Sequence, residues 1–146
     1  GPGIVQRYLN KVSGPLLDRI DLHVEVTPVK FDELTSTRKT ESSKSIRERV
    51  IQGRERQKER FKDNPEVFCN AMMPSHQVKE VCQINEAGKM LLKTAMERLG
   101  LSARAYDRIL KVARTIADIS GSENIKVEHL AEAIQYRSLD REGWAG

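Results

Sequence analysis

A chain of 146 residues that is 38% hydrophobic and 32% charged can bury one modest core beneath a well-solvated surface. No run approaches the roughly 18 apolar residues of a membrane-spanning helix and nothing at the start reads as a leader, so a cytoplasmic protein without membrane contact is expected. The formal charge of +4 is uneven: from Arg38 to Lys62 ten basic residues stand against four glutamates, and the remainder is slightly acidic. Such density suits a nucleic-acid backbone as partner.

Ile4, Val5, Tyr8, Leu9 and Val12 have helical spacing, and Ser13-Gly14-Pro15 stops that helix, because proline cannot continue the ladder. Leu16 and Leu17 suit one further turn. Ile20, Leu22, Val24 and Val26 then alternate with Asp21, His23 and Glu25, the period of a strand with one buried face. No second strand follows. This strand therefore joins a sheet from elsewhere in a longer chain, pairs between chains, or stays disordered.

Ser36–Ser45 reads as a linker, and Ser42 or Ser43 caps a long basic helix to about Phe61. Its apolar stripe is thin and interrupted by Gly53, which predicts a mostly exposed helix. Four better-patterned helices follow. One opens at Pro74-Ser75 and runs to about Cys82. A second is capped by Asn85 and stopped by Gly100. A third is capped by Ser102 and stopped by Gly121, and a fourth runs from about Val127 to Leu139. The fold class is mainly α, a small helical bundle preceded by an arm with one helix and one strand. The segments are 1–35 (arm), 36–66 (linker and basic helix) and 67–146 (bundle). Trp144 reads as a docked tail.

There is no G-x-x-x-x-G-K-[ST] loop, and no serine or cysteine nucleophile stands in a supporting motif, so the chain alone is not expected to be an enzyme. The spacings of Cys69, His76 and Cys82 match no zinc pattern, and no metal site is expected. Two arginines stand out. Arg19 sits between a helical turn and the strand, where its planar, permanently charged fork could reach a phosphoryl group or simply pair with Asp18 or Asp21. Arg104 lies in the first turn after Ser102, where a cation opposes the helix dipole unless an anion compensates. Arg108 and Arg114, on later turns, read as surface or interface charges.

The run Gly14-Pro15-Leu16-Leu17-Asp18-Arg19-Ile20-Asp21-Leu22 resembles the end of the ATPase core in the magnesium-chelatase-like branch of AAA+ proteins, the ComM/YifB type. Arg104-Ala105-Tyr106-Asp107-Arg108-Ile109-Leu110, within Leu99–Arg137, is similar to the start of that family's sensor-2 helix, and Phe68–Met73 resembles its preceding junction. The matches occur in the family's order over most of the chain. The resemblance implies that residues 1–35 are a remnant of the ATPase core and residues 67–146 its lid. It implies that Arg19 is an arginine finger acting in trans, and that Arg104, with Ser102, contacts ATP phosphate in cis. ATP and Mg2+ would serve the full-length protein, with neither expected on this chain alone. Its partners would be its own ATPase core and neighbouring subunits of a homo-oligomeric ring, a hexamer, acting on DNA. On the residues alone, a non-enzymatic basic DNA-binding or oligomerisation module remains the alternative.

Overall fold

The computed structural model describes residues 1–137, and its regular elements are helical. In chain order these are α1 (Pro2–Leu9), α2 (Gly14–Arg19), α3 (Phe31–Leu34), α4 (Ser43–Arg60), α5 (Ser75–Val81), α6 (Glu86–Leu99), α7 (Ala103–Ile119) and α8 (Val127–Gln135). A 3-10 turn, Asn70–Met72, lies between α4 and α5.

Helix α7 is the axis. Ala105, Ile109, Leu110, Ala113 and Ala117 are buried along it at helical spacing. Helices α8, α4, α5 and α2 and the Asn70–Met72 turn pack directly on α7, while α6 packs on α8. Phe61, Val67, Met73, Val78, Leu92, Ile125 and Leu130 complete one continuous core. Each large apolar side chain buried there contributes about 1.5–3 kcal/mol of transfer free energy.

The bundle's helix starts follow the caps expected from the sequence. Ser42 Oγ accepts from the Ser45 N–H at 3.2 Å, Asn85 Oδ1 from Gly88 at 2.8 Å and Ser102 Oγ from Ala105 at 3.2 Å. Each cap stabilises its helix by about 1 kcal/mol. Gly100 ends α6 in the left-handed region at φ 59°, where a side chain would be strained. Gly53 allows α4 to lie close on the end of α7: a Cβ there would sit 3.0 Å from Ile119 Cγ1.

Two boundaries shift and one element is absent. The first helix is Pro2–Leu9, and α8 ends at Gln135. Leu139 and Trp144 lie outside the described residues. The strand expected at Ile20–Val26 does not form, and no strand occurs among the described residues. The alternating pattern is real, but a strand exists only through a partner's donors and acceptors, and the described residues offer none. Val24 and Val26 are accordingly exposed.

Candidate functional site

The segment carrying Arg19 is built from a short capped helix laid on α7. Ser13 Oγ accepts from the Leu16 N–H at 3.2 Å, starting α2. At its other end Leu17 O accepts a single backbone N–H, that of the capping Ile20 at 3.1 Å, and the Ile20 carbonyl lies past the helix, so both retain acceptor capacity. The Arg137 guanidinium donates to both, its Nη2 reaching Leu17 O at 3.3 Å. A cation suits the negative end of a helix. Arg137 is 1% exposed and His23 is likewise buried. The His23 N–H donates to Tyr136 O at 2.7 Å, and Asp21 pairs with Arg108 of α7 at 2.5 Å. Residues 14–23 are thereby latched onto α7 and the end of α8.

Arg19, the last residue of α2, is exposed and forms no hydrogen bond or ion pair with the described residues. Neither Asp18 nor Asp21 neutralises it; Asp21 is taken by Arg108. Arg104 is likewise exposed and without a partner among the described residues, one turn before Arg108. Ser102 Oγ is the acceptor that starts its helix. One helix thus carries Arg104 and, through Arg108, holds the segment that ends in Arg19.

A second arginine cluster has the opposite character. Asp118 is fully buried, and Arg60 of α4 grips it with both Nη atoms, at 2.5 and 2.8 Å. Asn70 Nδ2 donates to Asp118 Oδ2 at 2.9 Å, and Arg114 Nη2 lies 3.2 Å from Oδ1. Arg56 donates to the Asp118 carbonyl at 2.9 Å, and Gln57 Oε1 accepts from the Asn70 N–H at 2.8 Å. This clasp fixes α4 and the Asn70–Met72 turn to α7. Arg114 is therefore not a surface charge. It is buried, donates to the carbonyls of Ser122 and Glu123, and burial lowers its pKa against the opposing pull of Asp118. Burial also raises the thiol of Cys82, beside the clasp, to about 11, with Arg114 and Arg60 drawing it back.

Among the described residues no three His, Cys, Asp or Glu side chains gather as a metal site, and no helix is long and apolar enough to cross a membrane. Sequence reasoning missed Asp118, Arg137 and Arg108 as organising residues. Their partners lie far away in sequence. A lone acidic residue on the apolar side of an amphipathic helix, as Asp118 is on α7, was the available signal.

Residues 40–137 match the family model described as magnesium chelatase, subunit ChlI C-terminal, and residues 2–34 match magnesium chelatase, subunit ChlI. The chain belongs to the magnesium chelatase ChlI C-terminal family. Relatives bear out the ComM/YifB resemblance. Competence protein ComM of Haemophilus influenzae is 43% identical over 96% of this chain and 27% of that protein. The uncharacterized protein YifB of Escherichia coli is 43% identical over 92% of this chain and 26% of its own length. An uncharacterized protein of Mycobacterium bovis, Mb2921c, is 35% identical over 90% of this chain and 26% of its own. The chain thus spans about a quarter of the curated relatives it matches. The bundle α4–α8 falls within the C-terminal family match, and the arm with α1–α3 falls within the other.

Proposed function

We propose that this chain is the lid-bearing C-terminal part of a ring-forming AAA+ ATPase. Arg104 contacts the phosphates of ATP held by its own subunit's core, on the helix that Ser102 starts. Arg19 completes the ATP site of the neighbouring subunit, and the ring, a hexamer, drives remodelling or branch migration of DNA. The observation that carries this reading is that Arg19 and Arg104, both exposed and without an ion pair among the described residues, stand at helix ends tied to one scaffold: Arg104 opens α7, and α2, which ends in Arg19, packs on α7. An arginine without a carboxylate partner, pinned at a helix end, suits a phosphoryl group that arrives from another part of the assembly.

Magnesium-bound ATP supplies the transferable phosphoryl group; this chain's part is to present Arg104 in cis and Arg19 in trans. The steady-state ATPase rate of the full-length protein tests both. Arg19→Ala should lower kcat by about a thousandfold, the lower end for a finger arginine. Mixing Arg19→Ala subunits with subunits lacking a functional phosphate loop should restore part of the activity, since each supplies what the other lacks. The present chain alone should show no micromolar affinity for ATP in calorimetry. An Arg19→Ala ring that hydrolyses ATP at the unmodified rate would falsify the assignment.

A further inference from the structure

We propose that the basic row on α4, together with Phe68 and Met72, is a binding site for single-stranded nucleic acid. The clasp first removes cations from consideration. Arg56 and Arg60 are committed to Asp118, Arg49 to Glu41, and Lys62 to Glu59. Lys44, Arg47, Arg54 and Lys58 remain, all exposed and forming no ion pair with the described residues.

The survivors are ordered. Arg47, Arg54 and Lys58 fall seven and four residues apart, which places them on one face of an α-helix. Glu48, Glu55 and Glu59 each follow one position later, forming a parallel row about 100° around the same helix. On the far side of that acidic row lie Arg49, Arg56 and Arg60, already held by Glu41 and Asp118, so the row of Arg47, Arg54 and Lys58 is the one left for a partner.

That row borders a groove. Arg54 and Lys58, together with Glu55, line a cavity of about 730 Å³ that Phe68, Met72 and Cys69 also line, so two cations stand against one carboxylate there. Phe68 is 68% exposed and Met72 is 44% exposed. Phe61, the aromatic that the sequence places nearest the basic segment, is instead in the core. An uncovered phenyl ring beside two unpaired cations is the combination that single strands use: phosphates along the cations and an unpaired base on the ring. A duplex keeps its base faces stacked inside and cannot use the ring. The proposal rests on the nucleic-acid side of the reading above and is independent of Arg19 and Arg104.

The test is fluorescence anisotropy of this chain with a labelled oligothymidylate of about 20 nucleotides, long enough to span a single-strand site. An oligouridylate and a blunt duplex of matching length run in parallel. The single strands should bind with a log–log salt slope of about −2 to −3, the signature of three or four neutralised phosphates. Phe68→Ala should weaken binding about tenfold with an unchanged thermal melt, because the ring supports no core. Arg54→Gln with Lys58→Gln should weaken it similarly and reduce the slope by about 1.4. Lys93→Gln, at an exposed position on α6, should change nothing. A preference between the DNA and RNA strands identifies the natural source, and equal binding supports a site that ignores the 2′-hydroxyl. Two results separate the possible failures. Loss of binding in the cation variants with none in Phe68→Ala, or a duplex bound as tightly as the strands, overturns this site but leaves the nucleic-acid reading. Absence of single-strand binding at micromolar protein also overturns this site, and DNA-stimulated ATP turnover of the full-length protein then decides the nucleic-acid reading separately: stimulation keeps it and none overturns it.

Discussion

The clasp around Asp118 and the latch around Asp21 are both built from arginines reaching α7, and they differ in how much water they see. The Asp118 side chain is fully buried, and the two arginines on it are 21% and 6% exposed. Asp21 is 46% exposed and its partner Arg108 is 31% exposed. Coulomb attraction between like pairs therefore operates in different media, and the consequences of removing a partner diverge. A deeply buried pair is costly to break because the orphaned charge stays desolvated, while an exposed pair is replaced by water. The clasp is thus a structural element. The Asp21–Arg108 pair can yield without unfolding the bundle, a property that suits a segment proposed to meet another subunit.

The largest effect should come from Asp118→Ala. It leaves Arg60, Arg114 and Asn70 turned towards an empty carboxylate site, at a cost of about 3–5 kcal/mol. For a chain of this size that lowers Tm by on the order of 10 °C in a calorimetric scan. A shift within 1–2 °C would erase the distinction between clasp and latch.

Next in size is the alkaline response of Cys82. Its thiol is raised from 9.0 to about 11 in the fold, chiefly by burial. A raised folded-state value means that the folded form holds its proton more tightly than the unfolded chain. That contribution is fully present below pH 9 and is lost as pH rises towards 11, amounting to about 2–3 kcal/mol. Denaturant midpoints measured across that window should fall more steeply for the unmodified chain than for Cys82→Ala. Parallel curves would show that the thiol is not held in an apolar site.

Smaller again is Arg137→Gln. Two carbonyls at the end of α2 lose a charged donor, which typically contributes about 1.5–3 kcal/mol. Most of this should appear as local release of the arm, read as faster amide exchange at His23 with the α7 amides unchanged. Asp21→Asn should cost at most about 1 kcal/mol and should be masked by salt, as for other exposed pairs. If Asp21→Asn matches Asp118→Ala in severity, the two clusters are equivalent after all.

What was legible in the sequence divides along the same line. Local signals held: Ser42, Asn85 and Ser102 start their helices, because a cap involves residues only three positions apart. Non-local ones did not. The alternation from Ile20 to Val26 describes one face of a strand, but strand formation depends on a neighbour. Helix α4 reads as a basic, mostly exposed helix, yet Arg60 meets Asp118 across 58 positions, and that pairing leaves only some of its cations for other work. Arg114 looked external because its carbonyl partners, Ser122 and Glu123, lie past the end of its own helix. The exposure of Phe68 beside Arg54 follows from how the Asn70–Met72 turn is clasped, which no periodicity encodes.

The smallest stability effect carries the sharpest contrast. Arg104 occupies the first turn of α7 with no partner among the described residues, so its charge opposes the positive end of the helix dipole. Arg104→Ala also introduces the best helix former. The isolated chain should therefore become more stable by a few tenths of a kcal/mol, a Tm rise of about 1 °C. In the full-length protein the same substitution should reduce ATP turnover, because the cation tolerated at that unfavourable position is the one proposed to meet phosphate. A residue that weakens its own helix and strengthens only the assembled site behaves oppositely to Asp118. If Arg104→Ala destabilised the chain as a clasp residue would, Arg104 would belong with the structural arginines.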